Sequence, residues 1–389
     1  MNKLKNIGIS ALAGTLVSLS AAQAGGVSVT GSYEMSYTNL DNTKVSGNKL
    51  GVNKNITFGA SGDMSDGGGV TWATTVAMND GFSGLSSASL SINMGGIATL
   101  TYDSGTGGTG ANAVDNIMPT AWEEIDYGFA TGISDLGAVS ASKGVITLAI
   151  KAPVAGTGIS LSYASGMGGG HISDGATGTN DGYKGVDVVI DFVDYDAAHA
   201  GFRWGIAAQT EIPEVTCERL RKDREKLANG TAGIHSCNDG LKHNPYGGSM
   251  FTKLQVGPIH FGTQATFKNL ATTKASAVMN TRSIVGGVAA VFGDTLSVSY
   301  GVAYDKYRYN DRGRGHSNTA VGDALYGKLT PGGFDEHEYI TTKYRGFSAA
   351  LNMGPVALKG TKNHAKSGEK TGNYEFDYTH SEINLSIAF

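Results

Sequence analysis

From Val27 onward the chain alternates, residue by residue, between apolar and polar side chains. Val27, Val29, Tyr33, Met35 and Tyr37 share one parity; Ser28, Thr30, Ser32, Glu34 and Ser36 share the other. In an extended strand successive side chains point to opposite faces, so this spacing gives one oily face and one wet face. The pattern returns at 295–304, where Leu296, Val298, Tyr300, Val302 and Tyr304 oppose Thr295, Ser297, Ser299 and Ala303. It also closes the chain, with Ile383, Leu385, Ile387 and Phe389 against Glu382, Asn384, Ser386 and Ala388. Such segments predict about sixteen strands, at 27–38, 50–62, 70–78, 85–93, 97–103, 145–152, 158–164, 185–193, 201–210, 249–256, 259–268, 283–292, 295–306, 340–353, 356–363 and 374–389. Alternation is blurred in 85–93 and 340–353.

The connections alternate as well. Short ones fall at 63–69, 94–96, 153–157, 194–200, 257–258, 293–294 and 354–355; long polar ones fall at 39–49, 103–144, 165–184, 211–248, 269–282, 307–339 and 364–373, with 79–84 a short exception. Short turns on one rim and long loops on the other predict an all-β fold, a transmembrane antiparallel β-barrel with long outer loops and short periplasmic turns. Pro119, Pro153, Pro213, Pro245, Pro258, Pro331 and Pro355 all lie in connections. A proline inside a strand would delete a ladder donor, and no water is present in hydrocarbon to replace it. With both termini periplasmic, the outward aromatics fall into two bands. Tyr37, Tyr102, Tyr163, Tyr304 and Phe267 lie near the outer rim; Trp72, Phe192, Phe202, Trp204, Phe292 and Phe389 lie near the inner one. Strand propensity explains aromatics but not two levels, whereas membrane interfaces explain both.

Composition supports a repetitive barrel over two or three soluble domains. Glycine supplies 58 of 389 residues and charged residues only 16%, against ~7% glycine and ~25% charge in ordinary soluble domains. After Ala24 no apolar run reaches the ~18 residues of a spanning helix. The first residues read as a leader: Lys3 and Lys5, an apolar run from Ile7 to Leu19, then the small-x-small site Ala22-Gln23-Ala24. The run is shorter than the ~20 residues that cross a bilayer. The expected division is a signal peptide at 1–24 and a barrel at 25–389. The whole chain carries a formal charge of −4, and losing Lys3 and Lys5 makes it more acidic, which argues against nucleic-acid binding. Cys217 and Cys237 share one polar stretch; export to an oxidising compartment favours a disulfide between them, two free thiols being the alternative.

These features together resemble the general-diffusion porins of Gram-negative bacteria, most like those of proteobacteria. The carriers are the leader ending Ala22-Gln23-Ala24, the opening strand Val27 to Tyr33, and the closing Ile383 to Phe389. Met94-Gly95-Gly96-Ile97-Ala98-Thr99-Leu100-Thr101 is similar to the turn and strand before that family's constriction loop, although a basic residue usually follows and this chain has Asp103. The resemblance implies a cell outer-membrane location, a homotrimer, and no cofactor. It also implies that Phe389 is part of the signal read by the barrel-assembly machinery, and that the loop at about 103–144 folds inward to narrow the pore.

That loop is independently unusual, since unstructured connections beyond ~15 residues are uncommon. It carries Asp115, Glu123, Glu124, Asp126 and Asp135 against Lys143. Carboxylates in a narrow pore concentrate cations and repel anions, so a mild cation preference is expected; alternatively the acids only keep the loop solvated. Lumen parity selects Arg203, Lys253, His260 and Lys359 as a basic opposing wall, and sends Glu34, Asp187, Asp191, Gln264, Asp305 and Glu382 to the wet interior as well. Gly105 to Gly110 matches a dinucleotide fingerprint but follows an alternating strand and lacks a following helix, so a flexible loop start is the better reading. Glu211 to Asn229 reads as a charged helix between Pro213 and Gly230, either a surface site for a partner such as lipopolysaccharide or a solvated helix. Arg308, Arg312, Arg314 and His316 present the same pair of readings. The expected function is passive diffusion of small hydrophilic solutes and ions. The rival readings are an adhesin or structural barrel and a rim-located hydrolase.

Overall fold

The structure is a computed structural model. It describes residues 26–41, 48–64, 69–79, 87–104, 108–114, 117–129, 133, 136, 139, 143–152, 154, 156–167, 183–196, 200–212, 243–271, 278–309, 339–367 and 376–389. The leader, Asp115, Asp135, Cys217, Cys237, the charged stretch after Pro213 and the Arg312–His316 segment lie outside the described residues.

Sixteen strands follow one another in chain order: β1 Val27–Asp41, β2 Leu50–Asp63, β3 Val70–Asn79, β4 Ser87–Met94, β5 Ala98–Ser104, β6 Lys143–Lys151, β7 Thr157–Met167, β8 Tyr183–Asp196, β9 Ala200–Ile212, β10 Tyr246–Val256, β11 Ile259–Asn269, β12 Val278–Phe292, β13 Leu296–Tyr309, β14 Tyr339–Met353, β15 Val356–Ser367 and β16 Phe376–Ala388. Each pairs antiparallel with its chain neighbours, and β1 pairs with β16, so the sheet closes. The seam runs from Ser32↔Ala388 to Asp41↔Thr379. It is finished by Gly31 N donating to Phe389 O at 2.8 Å and Phe389 N donating to Gly31 O at 3.0 Å. Closure leaves no edge strand, which is what a sheet needs in a solvent that cannot hydrogen-bond.

Every predicted strand is present, the two blurred ones included. Several run further toward the long loops than the alternation indicates, as β12 begins at Val278 and β15 ends at Ser367. Beyond the lipid a strand needs no oily face, so the ladder continues after the pattern has faded. The short turns are tight. Gly257 and Gly354 take φ of 56° and 66°, a left-handed backbone that a side chain would strain.

The parity reading holds around the ring. Tyr33, Phe58, Leu161, Ile206, Phe261, Tyr300 and Leu385 are exposed on the outside, while Ser162, Gln209, Ser283, Ser299, Thr342 and Asn384 are buried on the inside. Water-soluble chains rarely expose contiguous apolar patches above a few hundred Å². Here the exposed apolar residues form a belt on strand after strand, which is the surface of a barrel that spans lipid.

Candidate functional site: the lumen and its inner loop

The connection between β5 and β6 runs inside the barrel, and its own residues show why. It leaves the buried end of β5, Asp103 and Ser104, and includes a short 3-10 helix, Gly110–Val114, against β7, β8 and β9. Its apolar side chains face the wall: Ala111, Val114, Ile117 and Leu136 pack with Val189, Ala207 and Phe251. Further along, Met118 and Ile125 pack with Val285, Ala303, Tyr344 and Ala365. The loop is therefore amphipathic, and it buries an oily edge against otherwise polar strands.

The wall is shaped to receive it. Gly262, Gly287, Gly301 and Gly346 stand side by side in one row across β11, β12, β13 and β14. A Cβ on Gly287 would lie 2.4 Å from Met118 Cγ, and one on Gly301 2.9 Å from the Met118 sulfur and from Ile125. One on Gly262 would lie 2.6 Å from Pro119. These glycines form a trough, needed because backbone and loop approach too closely for any side chain.

Polar wall residues take up the loop's backbone groups. Gln264 Oε1 accepts from Ile117 N at 2.8 Å, Ser299 Oγ from Ala121 N at 2.9 Å, and Ser348 Oγ from Trp122 N at 3.3 Å. Asn363 continues the glycine row onto β15, opposite Gly346. Its amide donates to Glu124 O at 2.8 Å and Tyr127 O at 3.1 Å. At the end of the row, on β16, the His380 ring lies under Gly128, with Tyr127 and Phe129 edge-on at 5.5 and 6.3 Å.

The loop carboxylates divide into two kinds. Asp126 Oδ2 accepts from Ile133 N at 2.6 Å and so holds the loop's own turn. Glu123 faces the lumen near Glu382, Glu124 and Glu34, with Lys359 as the nearby cation. Burial first, then these carboxylates against the opposing pull of Lys359, push the Glu123 carboxyl up to about 7. Burial, followed by Glu382, Glu123 and Glu34, pushes Tyr127 up to about 12.

The basic candidates separate as well. Arg203 on β9 and Lys253 on β10 are directly opposite each other in register, and His260 on β11 lies two residues along from Gly262, the partner of Lys253. Arg203 binds Asp191 through Nε and Nη2, the latter at 2.6 Å, and its guanidinium stacks over Phe251 at 5.3 Å. In a ring of sixteen strands β9 is half a turn from β1, so this cluster faces Glu34 and the acidic part of the loop across the lumen. Lys359 does not join it. Its Nζ lies 3.5 Å from Glu34 Oε1 and 5.8 Å over the Trp122 ring, among the carboxylates.

Parity also sends Asp187, Asp305 and Gln264 inward, as expected. They are not wet, however: their exposures are 1%, 0% and 5%, and the loop covers Asp187 and Gln264. Asp187 lies beneath Gly110, and Asp305 accepts from Tyr307 Oη at 2.5 Å. The glycine row and the anchors Ser299, Ser348 and Asn363 are functional features that alternation alone does not single out. A signal exists in retrospect, since four lumen-parity positions at matching depth are glycine.

No family model matches the chain, and no curated protein sequence matches it. Solved structures do. OmpT of Vibrio cholerae, an outer membrane protein folded in vitro and described in a trimer form, is similar over 94% of this chain and 100% of that one, with a TM-score of 0.57 and 10% identity. OmpT of Vibrio cholerae expressed in the outer membrane covers 95% of this chain and 99% of that one, at a TM-score of 0.56 and 9% identity. A solved porin covers 93% and 100%, at a TM-score of 0.55 and 11% identity. At such identities the likeness is one of fold: the chain has the architecture of sixteen-stranded outer-membrane barrels.

Proposed function

We propose that the chain is an outer-membrane porin, a water-filled channel through which small hydrophilic solutes and ions diffuse passively. The supporting observation is the inner loop. A closed barrel that only anchored or displayed something would have no use for a long connection drawn inside and fastened along half its wall. Glu123, Glu124 and Glu34 on one side and Arg203 and Lys253 on the other, with His260 beside them, put opposite charges across the path of a solute. Acids dominate at the loop, so the channel is mildly cation-preferring. Export by the leader at 1–24, assembly through Phe389 and a homotrimeric state complete the reading, the last two resting on resemblance to porins. The Cys217–Cys237 bridge belongs to it too. No cofactor enters the mechanism.

The refolded chain in a planar bilayer tests this directly. Stepwise, long-lived conductance increments are expected, with a reversal potential in a salt gradient that favours cations. E123Q with E124Q lowers that preference while the conductance steps persist. Asp126 is a poorer choice for this test, since its carboxylate holds the loop turn. A folded barrel that inserts and never conducts ends the channel reading; unchanged reversal potentials in the double variant end only the selectivity claim.

A further inference from the structure

Lys359 lies in an acidic recess on the lumen face, where β15 meets β16 and β16 meets β1. In register, Lys359 is directly opposite Asn384, and Asn384 is directly opposite Ser36. Glu382 and Glu34 are the next residues on the same faces, two positions along from Asn384 and Ser36. Trp122 of the inner loop brings its ring within 5.8 Å of Lys359 Nζ. Glu34 and Trp122 are partly exposed, so the recess opens to the lumen.

The acids outnumber the cation. Glu123 is acted on by Glu382, Glu124 and Glu34, and Lys359 is the one cation acting on it among the described residues. Lys359 is also held loosely. Its Nζ is 3.5 Å from Glu34 Oε1, whereas a charge-assisted hydrogen bond closes to about 2.7–2.9 Å. A second observation does not depend on the acids. Asn384 is 4% exposed, and its Oδ1 has no hydrogen-bond partner although Lys359 lies directly opposite. Buried acceptors are nearly always paired, so an orphaned amide oxygen marks a place for a donor. Carboxylates, an aromatic face and an amide oxygen together call for a cation that also donates N–H groups. No group of three or more metal-ligating side chains gathers among the described residues, which argues against a divalent ion.

The group already in the recess is the end of a butylammonium chain, the side chain of Lys359 itself. We propose that this recess between β15, β16 and β1 is a seat for solutes that carry a primary alkylammonium group, with Lys359 as the tethered occupant that such a solute displaces. The incoming ammonium takes over the contacts with Glu34 and Trp122. Once Lys359 has swung aside, its three donors also reach Asn384 Oδ1 and the Glu382 carboxyl group. Lys359 is then a built-in competitor. It keeps the acids paired when no amine is present, and it weakens the seat enough for the solute to leave. A quaternary ammonium has no N–H for the amide oxygen. The inference deepens the channel reading and rests on it for the route by which a solute arrives.

Isothermal titration calorimetry of the folded full-length barrel in neutral detergent reads binding without requiring conductance. The probes are the chlorides of butylammonium, tetramethylammonium and calcium. Butylammonium is expected to bind, and K359M to tighten it severalfold by removing the competitor; tetramethylammonium, which cannot donate, gains less. E382Q or N384A in the K359M background is expected to weaken butylammonium by about tenfold, the usual worth of a hydrogen bond to a charged group. Unaltered migration of the unheated barrel shows that each variant is folded, and W122L, in the loop and outside the wall, replaces any wall variant that is not. Unchanged butylammonium affinity in K359M overturns the seat. An equal gain for tetramethylammonium reduces it to a diffuse negative field, and tighter binding of calcium makes it a metal site; either result overturns the ammonium assignment. Absence of conductance in bilayers with these affinities intact counts against the channel and not against the seat.

Discussion

Glu123 shows how one side chain's setting can make a pore respond to pH. Its carboxyl titrates at about 7 in place of its ordinary 4.5, chiefly because it is half-buried and then because Glu382, Glu124 and Glu34 surround it. The sign follows from linkage. With the folded value above the unfolded one, the protonated loop is stabilised fully below the unfolded value, and that contribution is lost as pH rises through the folded value. As pH rises through about 7 the folded lumen gains a negative charge. Cation preference should therefore increase as pH is raised through neutrality, and E123Q should remove the step. Reversal potentials measured on either side of neutral pH decide it; a wild-type profile as flat as that of E123Q refutes the assignment. The sequence put Glu123, Glu124 and Asp126 in one loop but could not rank them. Asp126 is set apart by Ile133 within the loop, whereas Glu123 takes its setting from Glu34 on β1, far upstream, and from Lys359 and Glu382 on β15 and β16, more than two hundred residues later.

The inner loop is the element that turns a cylinder into a filter, and its attachment is local enough to dissect. In N363A the carbonyls of Glu124 and Tyr127 lose their donor, at a cost of about 1–3 kcal/mol. A wider or noisier single-channel current and faster proteolysis within the loop are expected, while the barrel stays intact. G287V attacks the same seat from below, since its Cβ would fall within 2.4 Å of Met118. Overpacking of this kind costs about 1–3 kcal/mol and should lift the loop toward the channel axis, lowering unit conductance. Conductance traces identical to wild type in both variants would mean the loop does not define the pore. Strands themselves were legible from alternation, because each strand's two faces meet two different solvents. The loop's path was not: its amphipathic edge has no fixed period, and its docking partners are scattered over β7 to β16.

At the scale of the whole molecule, closure is the decisive event. The seam joins the two ends of the chain, and Phe389 exchanges both backbone hydrogen bonds with Gly31 while its ring lies against the same residue. Deleting Phe389 should reduce the fraction of chain that reaches the folded state in the membrane, read as loss of the fast-migrating band in unheated gels. Normal amounts of that band would remove Phe389 from the assembly step. The sequence by itself determined the number of strands, their inward and outward faces, the alternation of short and long connections and the aromatic bands. All of these follow from a period of two read against oil and water, which is local information. Only the tertiary structure decided that Lys359 lies with the acids and Arg203 across from them, that Asp187 and Asp305 are buried, and that four glycines align into a trough. Those facts depend on register between strands remote in sequence, and register is fixed only when the ring closes.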